Sequence, residues 1–300
     1  MKNSFIPVSV VLIVLLVSLV SIWFIPSLQD FMVGNQTWNG MRGITEQLGA
    51  RTVYSLDETA DITDRSVMIS IPYLEYNDAE LQYLKDFVLA GNTLLLADDY
   101  GYGNDLLIYL GVTVRFSGKP LLDPLFSYKN RWFPTISDFS RNVVAEDVKL
   151  VVLNHATALL GDNMDAIAWS SSESYLDLNG DGVLNGTDPK GPFPVAGWLS
   201  YGAGKIILVS DPSILTNSMM RLYDNQNFVK DLTSLGGEGT GTLIDASHLT
   251  KTSLDLNKSR LTNLRSMLAT PYPLLVILVI VFVMAAKSLF NSGGFIEKQQ

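Results

Sequence analysis

The sequence predicts an α/β fold with a mostly parallel sheet and helices on both faces. Strand-like and helix-like segments alternate between residues 52 and 245, and this alternation is typical of parallel sheets covered by helices. The continuous apolar run Thr93–Ala97 is typical of a parallel strand that is buried on both faces. A helical pattern with start and stop signals, from Asn77 to Gly91, precedes that strand.

The first half of the domain begins with two strands and the capped helix. Asn77 begins this helix, and Asp78 and Glu80 lie in its first turn, where the helix dipole favours negative charge. Apolar residues then recur at helical spacing up to a terminal glycine; they are Leu81, Leu84, Phe87 and Val88. The other predicted elements of this half are strands at Thr52–Ser55, Ser66–Pro72 and Val112–Val114 and a helix at Asn104–Leu110.

The second half repeats the alternation after an irregular, aromatic insertion at Lys119–Glu146. Asp211-Pro212 is a strong helix start, because an N-cap residue is followed by proline at the first helical position. A further helix is predicted at Asn225–Leu235. The predicted strands are Lys149–Leu153, Ala166–Ser170, Val195–Leu199, Lys205–Val209 and Thr242–Asp245.

The twelve residues 177–188 carry the strongest chemical signal in the chain. Oxygen-bearing side chains stand at positions 1, 3, 5, 9 and 12, with glycine at position 6, as in EF-hand calcium loops. The predicted Ca²⁺ ligands are the side chains of Asp177, Asn179, Asp181, Asn185 and Asp188 and the backbone carbonyl of Val183. We therefore expect a calcium loop within an insertion near residues 173–194.

This loop departs from the sensor type in two ways. Position 12 is the shorter Asp188 instead of glutamate, and prolines follow at once where a second helix would begin. We therefore expect a weak, isolated site, with a dissociation constant on the order of 10⁻⁴ to 10⁻³ M. The alternative is a surface turn without metal, since Asn, Asp and Gly also dominate ordinary turns.

Two apolar segments predict membrane anchors. Phe5–Ile25 contains no charged residue and is long enough to cross a bilayer, and a second uncharged run lies between Arg265 and Lys287. The predicted organisation is a signal anchor (residues 1–26), an extracytoplasmic α/β domain (27–265), a second transmembrane helix (266–287) and a short cytoplasmic tail (288–300).

The positive charges near the anchors do not decide the orientation, but three other observations favour an extracytoplasmic domain with both termini in the cytoplasm. One is the presence of glycan acceptor sequons at Asn35, Asn185 and Asn257. The net charge of −9 gives no electrostatic reason to bind nucleic acid or an anionic leaflet. The weak type of the calcium loop also suits external calcium concentrations. The expected partners are the lipid bilayer and other membrane or envelope proteins.

Catalytic motifs are weak. The chain has no cysteine, which excludes disulfides, thiolate metal sites and cysteine nucleophiles. The two histidines, His155 and His248, lie far apart in sequence and outside any nucleophile motif. We therefore expect a non-enzyme.

One acidic crevice is a second candidate site. In an open α/β sheet, ligands bind beyond the carboxyl ends of the strands. Asp98 and Asp99 follow one predicted strand and Asp211 another, and Asn104 could join them around a polar ligand or cation. The simpler interpretation is structural: Asp211 caps a helix and Asp98-Asp99 belongs to a polar turn.

The chain resembles the membrane proteins that carry DUF4350, which are similar to the class I glutamine amidotransferase-like superfamily. The resembling segments are residues 78–99 with Gly103-Asn104, then 191–196, 204–213 and Asp224-Asn225. The resemblance implies a flavodoxin-like sandwich without a defined activity. It also implies protein partners, namely MoxR-type ATPases and von Willebrand factor A-like proteins. The cysteine that an amidotransferase needs is absent.

The sequence therefore predicts a membrane-anchored, catalytically inactive amidotransferase-like domain that binds calcium and organises other proteins. Two alternatives remain open. One is a metal-dependent hydrolase or transferase that uses Asp98, Asp99 and Asp211. The other is a solute-sensing subunit of a membrane complex.

Overall fold

A computed structural model of the chain describes residues 5–24, 28–59, 65–237, 239–250 and 252–268. The helices are α1 (Phe5–Phe24), α2 (Arg42–Gln47), α3 (Asp78–Leu89), α4 (Gly103–Tyr109), α5 (Asn225–Ser234) and α6 (Ser253–Leu268). Short 3₁₀ turns occupy Leu56–Thr59, Pro212–Leu215 and Met219–Arg221. Residues 26–250 form one compact unit, and α1 and α6 belong to a second.

The strands are short outside the central sheet. They are β1 (Arg51–Val53), β2 (Ser66–Ser70), β3 (Thr93–Ala97), β4 (Arg115–Phe116), β5 (Leu121–Leu122), β6 (Thr135–Ile136), β7 (Asp138–Phe139), β8 (Val151–Val152), β9 (Leu159–Leu160), β10 (Asp165–Trp169), β11 (Tyr175–Leu176), β12 (Pro194–Tyr201), β13 (Gly204–Val209) and β14 (Gly241–Asp245). Eight of them form the central sheet in the order β1-β14-β2-β3-β13-β12-β10-β7. The predicted mixed α/β fold with a large, mostly parallel sheet is confirmed.

The sheet has a parallel half and an antiparallel half. β1, β14, β2, β3 and β13 pair in parallel. β12, β10 and β7 then extend the sheet through antiparallel pairs. The β12–β13 pair arises because only Gly202 and Ala203 separate the two strands, and Gly202 has a φ of +58°, a value that glycine adopts without steric cost.

Each face of the sheet buries its own apolar cluster. All five residues of β3 are buried, and successive side chains point to opposite faces. Leu94 and Leu96 pack with residues of α3 and α4, while Leu95 and Ala97 pack with residues of α5. Helices therefore cover both faces.

The N-terminus of α3 confirms its predicted cap. The Asn77 side chain accepts hydrogen bonds from the N–H groups of Ala79 and Glu80, and the Glu80 carboxylate accepts one from the N–H of Asn77. This reciprocal arrangement is a capping box, which satisfies backbone donors that the first turn leaves unpaired. The helix that Asp211-Pro212 predicts is shorter than expected, since only the four-residue 3₁₀ turn Pro212–Leu215 forms.

The predicted membrane topology requires correction. Across the described ranges, no helix combines the length and the apolarity needed to cross a membrane. This finding contradicts the predicted two-pass membrane protein, with its extracytoplasmic domain and cytoplasmic termini. After Leu268, the second predicted anchor (266–287) and the tail (288–300) lie outside the described residues.

Candidate functional site

The parallel strands bring polar residues to one edge of the sheet. In the β3–β13 pair, Ala97 lies opposite Val209. Asp98-Asp99 and Ser210-Asp211 therefore follow the two strands side by side. They lie at the carboxyl ends of the strands, where α/β sheets bind ligands. Three of the four residues predicted for the crevice, Asp98, Asp99 and Asp211, directly follow strands at this edge. The fourth, Asn104, lies in α4.

Asp98 holds the turn between β3 and α4. Its Oδ1 accepts hydrogen bonds from the N–H groups of Asp99 (2.9 Å) and Gly101 (2.7 Å), and its Oδ2 accepts one from Gly103 (2.7 Å). A Cβ atom at position 103 would lie 2.6 Å from Oδ2, so the turn requires a glycine there. Burial raises the pKa of Asp98, and the bonds from Gly101 and Gly103 oppose this shift.

Asn104 also bonds to the backbone. Its Nδ2 donates to the carbonyl of Phe116 and its Oδ1 accepts from the N–H of Phe116, both at 2.9 Å. These two bonds tie α4 to β4. The polar atoms of Asp98 and Asn104 are thus bonded to neighbouring backbone groups. Asp99 and Asp211 are the other acidic residues predicted at this edge.

Asp99 and Asp211 share a buried environment. Asp211 is fully buried, and its carboxylate accepts hydrogen bonds from the N–H groups of Ser213 and Asn154, both at 2.7 Å. Burial raises the pKa of Asp211 to about 8, and the negative charge of Asp99 adds to this shift. Burial also raises the pKa of Asp99 to about 6, although Asp99 accepts a hydrogen bond from the N–H of Tyr100.

Two tyrosines lie within the electrostatic reach of the acidic pair, Asp99 and Asp211. Burial raises the pKa values of Tyr73 and Tyr100, and the charges of Asp99 and Asp211 raise them further. The Tyr100 hydroxyl donates to the carbonyl of His155 at 3.0 Å. The ring of His155 stacks on Trp132, with 4.6 Å between centroids, and burial lowers the pKa of His155.

One buried hydroxyl at this edge has no partner. Among the described residues, the Ser210 Oγ is a buried side-chain polar atom without a hydrogen bond. Strand alternation places this side chain on the face of the sheet opposite to Asp211. It therefore lies apart from the Asp211 carboxylate.

The predicted calcium loop is a tightly bonded turn. Asp177 is buried, and its two carboxylate oxygens accept from the N–H groups of Gly180 (2.8 Å) and Gly182 (2.7 Å). Asp188 closes the loop, because it accepts from the N–H groups of Leu178 (3.1 Å) and Asn185 (2.9 Å).

The remaining predicted ligands follow a regular pattern. The side-chain oxygens of Asn179, Asp181 and Asn185 each accept a hydrogen bond from the N–H two residues further along the chain. These bonds turn the side chains back toward the loop. The amide of Asn179 also donates to the second oxygen of Asp181 at 2.9 Å, a contact that a cation at Asp181 would have to displace.

The donor set suits Ca²⁺ in chemistry, since every predicted ligand is an oxygen. The carboxylates by themselves are not gathered as a metal centre. Within the part of the chain that the structure describes, no three His, Cys, Asp or Glu side chains converge as metal ligands. A calcium site at this loop would therefore depend on Asn179, Asn185 and the Val183 carbonyl.

A third polar cluster was not predicted from the sequence. The Nδ1 atom of His248 lies 2.7 Å from Oδ2 of Asp245, and its Nε2 atom lies 3.4 Å from Oε2 of Glu80. Ser70 donates a hydrogen bond to Asp245 at 2.8 Å. The spacing Asp245-His248 is visible in the sequence, but the contact with Glu80 depends on the pairing of β14 with β2.

The fold and this polar edge define an α/β domain built on a large, mostly parallel sheet. The family comparison adds a specific assignment. The chain belongs to the family described as "Domain of unknown function (DUF4350)", which it matches over residues 34–233. This finding confirms the resemblance to DUF4350, whereas it does not extend to an amidotransferase-like class. The match ends before β14, although β14 lies between β1 and β2 in the sheet.

Solved structures resemble the fold at low sequence identity. The mmIFT52 N-terminal domain is 12% identical with a TM-score of 0.53, and the match covers 71% of this chain and 95% of that one. The β-galactosidase from Bacillus circulans sp. alkalophilus is 12% identical with a TM-score of 0.34, over 56% of this chain and 22% of that one. Cytoplasmic Protein STM3548 from Salmonella typhimurium is 15% identical with a TM-score of 0.34, over 61% and 74%.

These similarities concern the fold alone. The two structures with a TM-score of 0.34 carry no argument about activity. Among curated proteins, no sequence matches the chain.

Proposed function

We propose that this chain is a non-catalytic α/β module that binds Ca²⁺ at residues 177–188 and serves as a binding or scaffolding subunit of a protein assembly. The observation that carries the proposal is the bonding of the loop. The oxygens of all five predicted side-chain ligands accept backbone N–H groups of the same loop. The accepting oxygens of Asp177, Asn179, Asp181 and Asp188 keep a second lone pair that can coordinate a cation. The Oδ1 atom of Asn185 also accepts from the Thr187 hydroxyl, a bond that a cation would displace.

Calcium would supply positive charge to a loop that gathers negative charge. Asp177, Asp181 and Asp188 lie within twelve residues, and Asp177 and Asp188 are buried. Buried carboxylates are costly unless paired or bound to a metal. The loop also contacts the aromatic insertion, because the Arg131 guanidinium donates to the carbonyl of Gly182, which also accepts from the Tyr175 hydroxyl of β11. Binding at the loop would therefore rigidify this region.

The absence of a cysteine supports a non-catalytic role. An amidotransferase-like domain would place its nucleophile after the central strand β3, and this chain has Asp98-Asp99 there. Asp98 is occupied by three backbone N–H groups. The alternative of a metal-dependent hydrolase or transferase at this edge has less support, since Oδ1 of Asp98 already accepts two N–H groups and both polar atoms of Asn104 bond to Phe116. The partner would be a protein, and the resemblance suggests a MoxR-type ATPase or a von Willebrand factor A-like protein.

Thermal unfolding of the full chain with and without calcium tests the proposal. For a dissociation constant on the order of 10⁻⁴ to 10⁻³ M, 10 mM Ca²⁺ would stabilise the folded state by about 1.4 to 2.7 kcal/mol. Asp181→Ala removes a ligand at an exposed position, so the fold should persist while the calcium effect is lost. Asp162→Ala, which removes an exposed carboxylate outside the loop, is the matched control.

We expect calcium to raise the Tm of the wild-type chain and of Asp162→Ala but not that of Asp181→Ala. Equal responses of the two variants would count against the loop as the site. No response of the wild-type chain would reduce residues 177–188 to a surface turn.

A further inference from the structure

His248 lies between two carboxylates. Its ring nitrogens face Asp245 at 2.7 Å and Glu80 at 3.4 Å. The His248 and Asp245 side chains are 3% and 0% exposed, whereas Glu80 is 29% exposed. A neutral imidazole carries one N–H group, so it can donate to only one of two carboxylates. Donation to both requires the imidazolium form.

The surroundings of the ring favour that charged form. Burial by itself lowers the pKa of His248, but the hydrogen bond and charge of Asp245, followed by those of Glu80, raise it overall. The same contacts with His248 and the bonds from Ser247 and Ser70 lower the pKa of Asp245 against the effect of burial.

Tyr76 is the other titratable group that packs on the ring, with 4.1 Å between centroids. Burial raises its pKa well above the ordinary value, and the charges of Asp245, Asp98 and Glu80 add to this shift. Tyr76 therefore stays neutral, and Asp245 and Glu80 are the charged groups that face the ring.

The cluster joins three segments of the fold. Asp245 ends β14 and accepts a hydrogen bond from Ser70 at the end of β2. The backbone carbonyl of His248 accepts from the N–H of Leu74 at 3.0 Å. Glu80 accepts from the N–H of Asn77 at 2.8 Å, at the start of α3. The loop 71–77, the N-terminus of α3 and the segment after β14 thus meet at one imidazole.

We propose that the Asp245–His248–Glu80 cluster is a pH-sensitive latch, which holds loop 71–77 and the N-terminus of α3 against the segment after β14. When His248 loses its proton, Nδ1–H remains with the more buried Asp245. The Nε2 atom then becomes an acceptor that faces the acceptor Oε2 of Glu80. Glu80, which is partly exposed, turns to solvent, and the tie between α3 and the segment after β14 is lost.

The latch is connected to the acidic edge of the sheet. Loop 71–77 contains Tyr73, which lies close enough to Asp99 and Asp211 to feel their charges. The carbonyl of Pro72 accepts a hydrogen bond from the N–H of Tyr102, in the turn before α4. Release of loop 71–77 at higher pH would therefore make the segment beside Asp99 and Asp211 more mobile. This device is independent of the calcium loop.

A titration of the His248 ring by NMR tests the latch directly. The chain has two histidines, so His155→Asn leaves His248 as the single imidazole. Asparagine suits position 155 because the φ there is +56°, a region that Asn tolerates. In this background Glu80→Gln removes the charge but keeps a residue that can complete the capping box. Glu75→Gln, at an exposed position in the same loop, is the matched control.

We expect His248 to titrate above its ordinary pKa of 6.5, with both ring N–H groups present below that point. Glu80→Gln should lower the pKa of His248, and Glu75→Gln should leave it unchanged. Amide hydrogen exchange at Leu74 and Asn77, relative to core amides of β3, should lose protection as the pH passes the His248 pKa. That loss should be absent in Glu80→Gln.

Titration of His248 at or below pH 6.5 would overturn the latch. Equal His248 pKa values in Glu80→Gln and Glu75→Gln would overturn it as well. So would amide protection at Leu74 and Asn77 that does not change as His248 titrates.

Discussion

The side-chain amide of Asn104 pairs with both backbone groups of Phe116, with donation to the carbonyl and acceptance from the N–H at 2.9 Å each. The pairing resembles the hydrogen bonding between two strands and fixes strand β4, which follows α4 in the chain, to that helix. A residue that the sequence suggested for ligand binding therefore serves the architecture of the turn.

Asn104→Asp should destabilise the protein. The substitution removes the donor and sets a carboxylate oxygen against the Phe116 carbonyl, and loss of a buried partner costs about 1 to 3 kcal/mol. Urea unfolding at pH 7 measures the change. Asn163→Asp, at an exposed position, should be close to neutral, and comparable losses in both variants would show that the pairing has no special weight.

Leu96→Ala should be among the costlier core substitutions. Leu96 is fully buried in β3, where the sheet packs against α3 and α4. Removal of its side chain leaves a cavity, so the unfolding free energy should fall by about 2 to 5 kcal/mol. Chemical denaturation provides the measurement, with Leu125→Ala as control because Leu125 is 69% exposed. A loss below 1 kcal/mol at Leu96 would contradict the packing described for β3.

Asn77→Ala should weaken α3 at its start. The substitution removes the acceptor for the N–H groups of Ala79 and Glu80, and loss of such a cap costs about 1 kcal/mol. Asn77→Asp keeps an acceptor and should retain most of the stability. Thermal unfolding distinguishes the two, and an equal loss in both would argue against capping as the cause.

The acidic pair should make stability fall as the pH rises. The pKa values of Asp99 and Asp211 are raised to about 6 and about 8 in the folded state, against about 3.9 for an unfolded aspartate. Between these limits the folded chain holds more protons than the unfolded chain, so the unfolding free energy decreases with increasing pH. His248 acts in the same direction, because its raised pKa favours the folded state at low pH.

Urea unfolding at several pH values between 4 and 9 measures this dependence. Asp99→Asn keeps an acceptor for the N–H of Tyr100 and removes the charge that raises the pKa of Asp211. The dependence above pH 6 should therefore become shallower. A wild-type stability that increases steadily from pH 5 to pH 8 would contradict the raised pKa values.

Local patterns predicted the central elements well. β3 coincides with the predicted strand Thr93–Ala97, and α3 begins after the predicted cap Asn77. In both cases the decisive interactions lie within a few residues, as with the five apolar residues of β3 and the capping box of α3. The family resemblance was also confirmed over most of the domain.

Contacts between distant segments were less accessible from the sequence. The Asp211 side chain accepts from the N–H of Ser213 as a cap does, yet the chain becomes extended at Thr216 and no full helix follows. Residues Ala166–Ser170 predicted a strand correctly, but its antiparallel pairing with β12 depends on the β12–β13 hairpin. The contact of Glu80 with His248 likewise requires β14 to lie beside β2. The membrane anchors were predicted from the length and apolarity of two segments, and no helix among the described residues could cross a membrane.

The last strand of the domain, β14, lies between the first two strands, β1 and β2. Arg51 lies opposite Leu243, and Met68 is also in register with Leu243. Two strands from the beginning of the domain therefore meet only through a strand from its end. A chain that stops before residue 241 would leave β1 without a neighbour and β2 with an open edge, ready to pair with another molecule. During synthesis the ribosome must release nearly the whole domain before this part of the sheet can close, and the exposed edge is then at risk of aggregation.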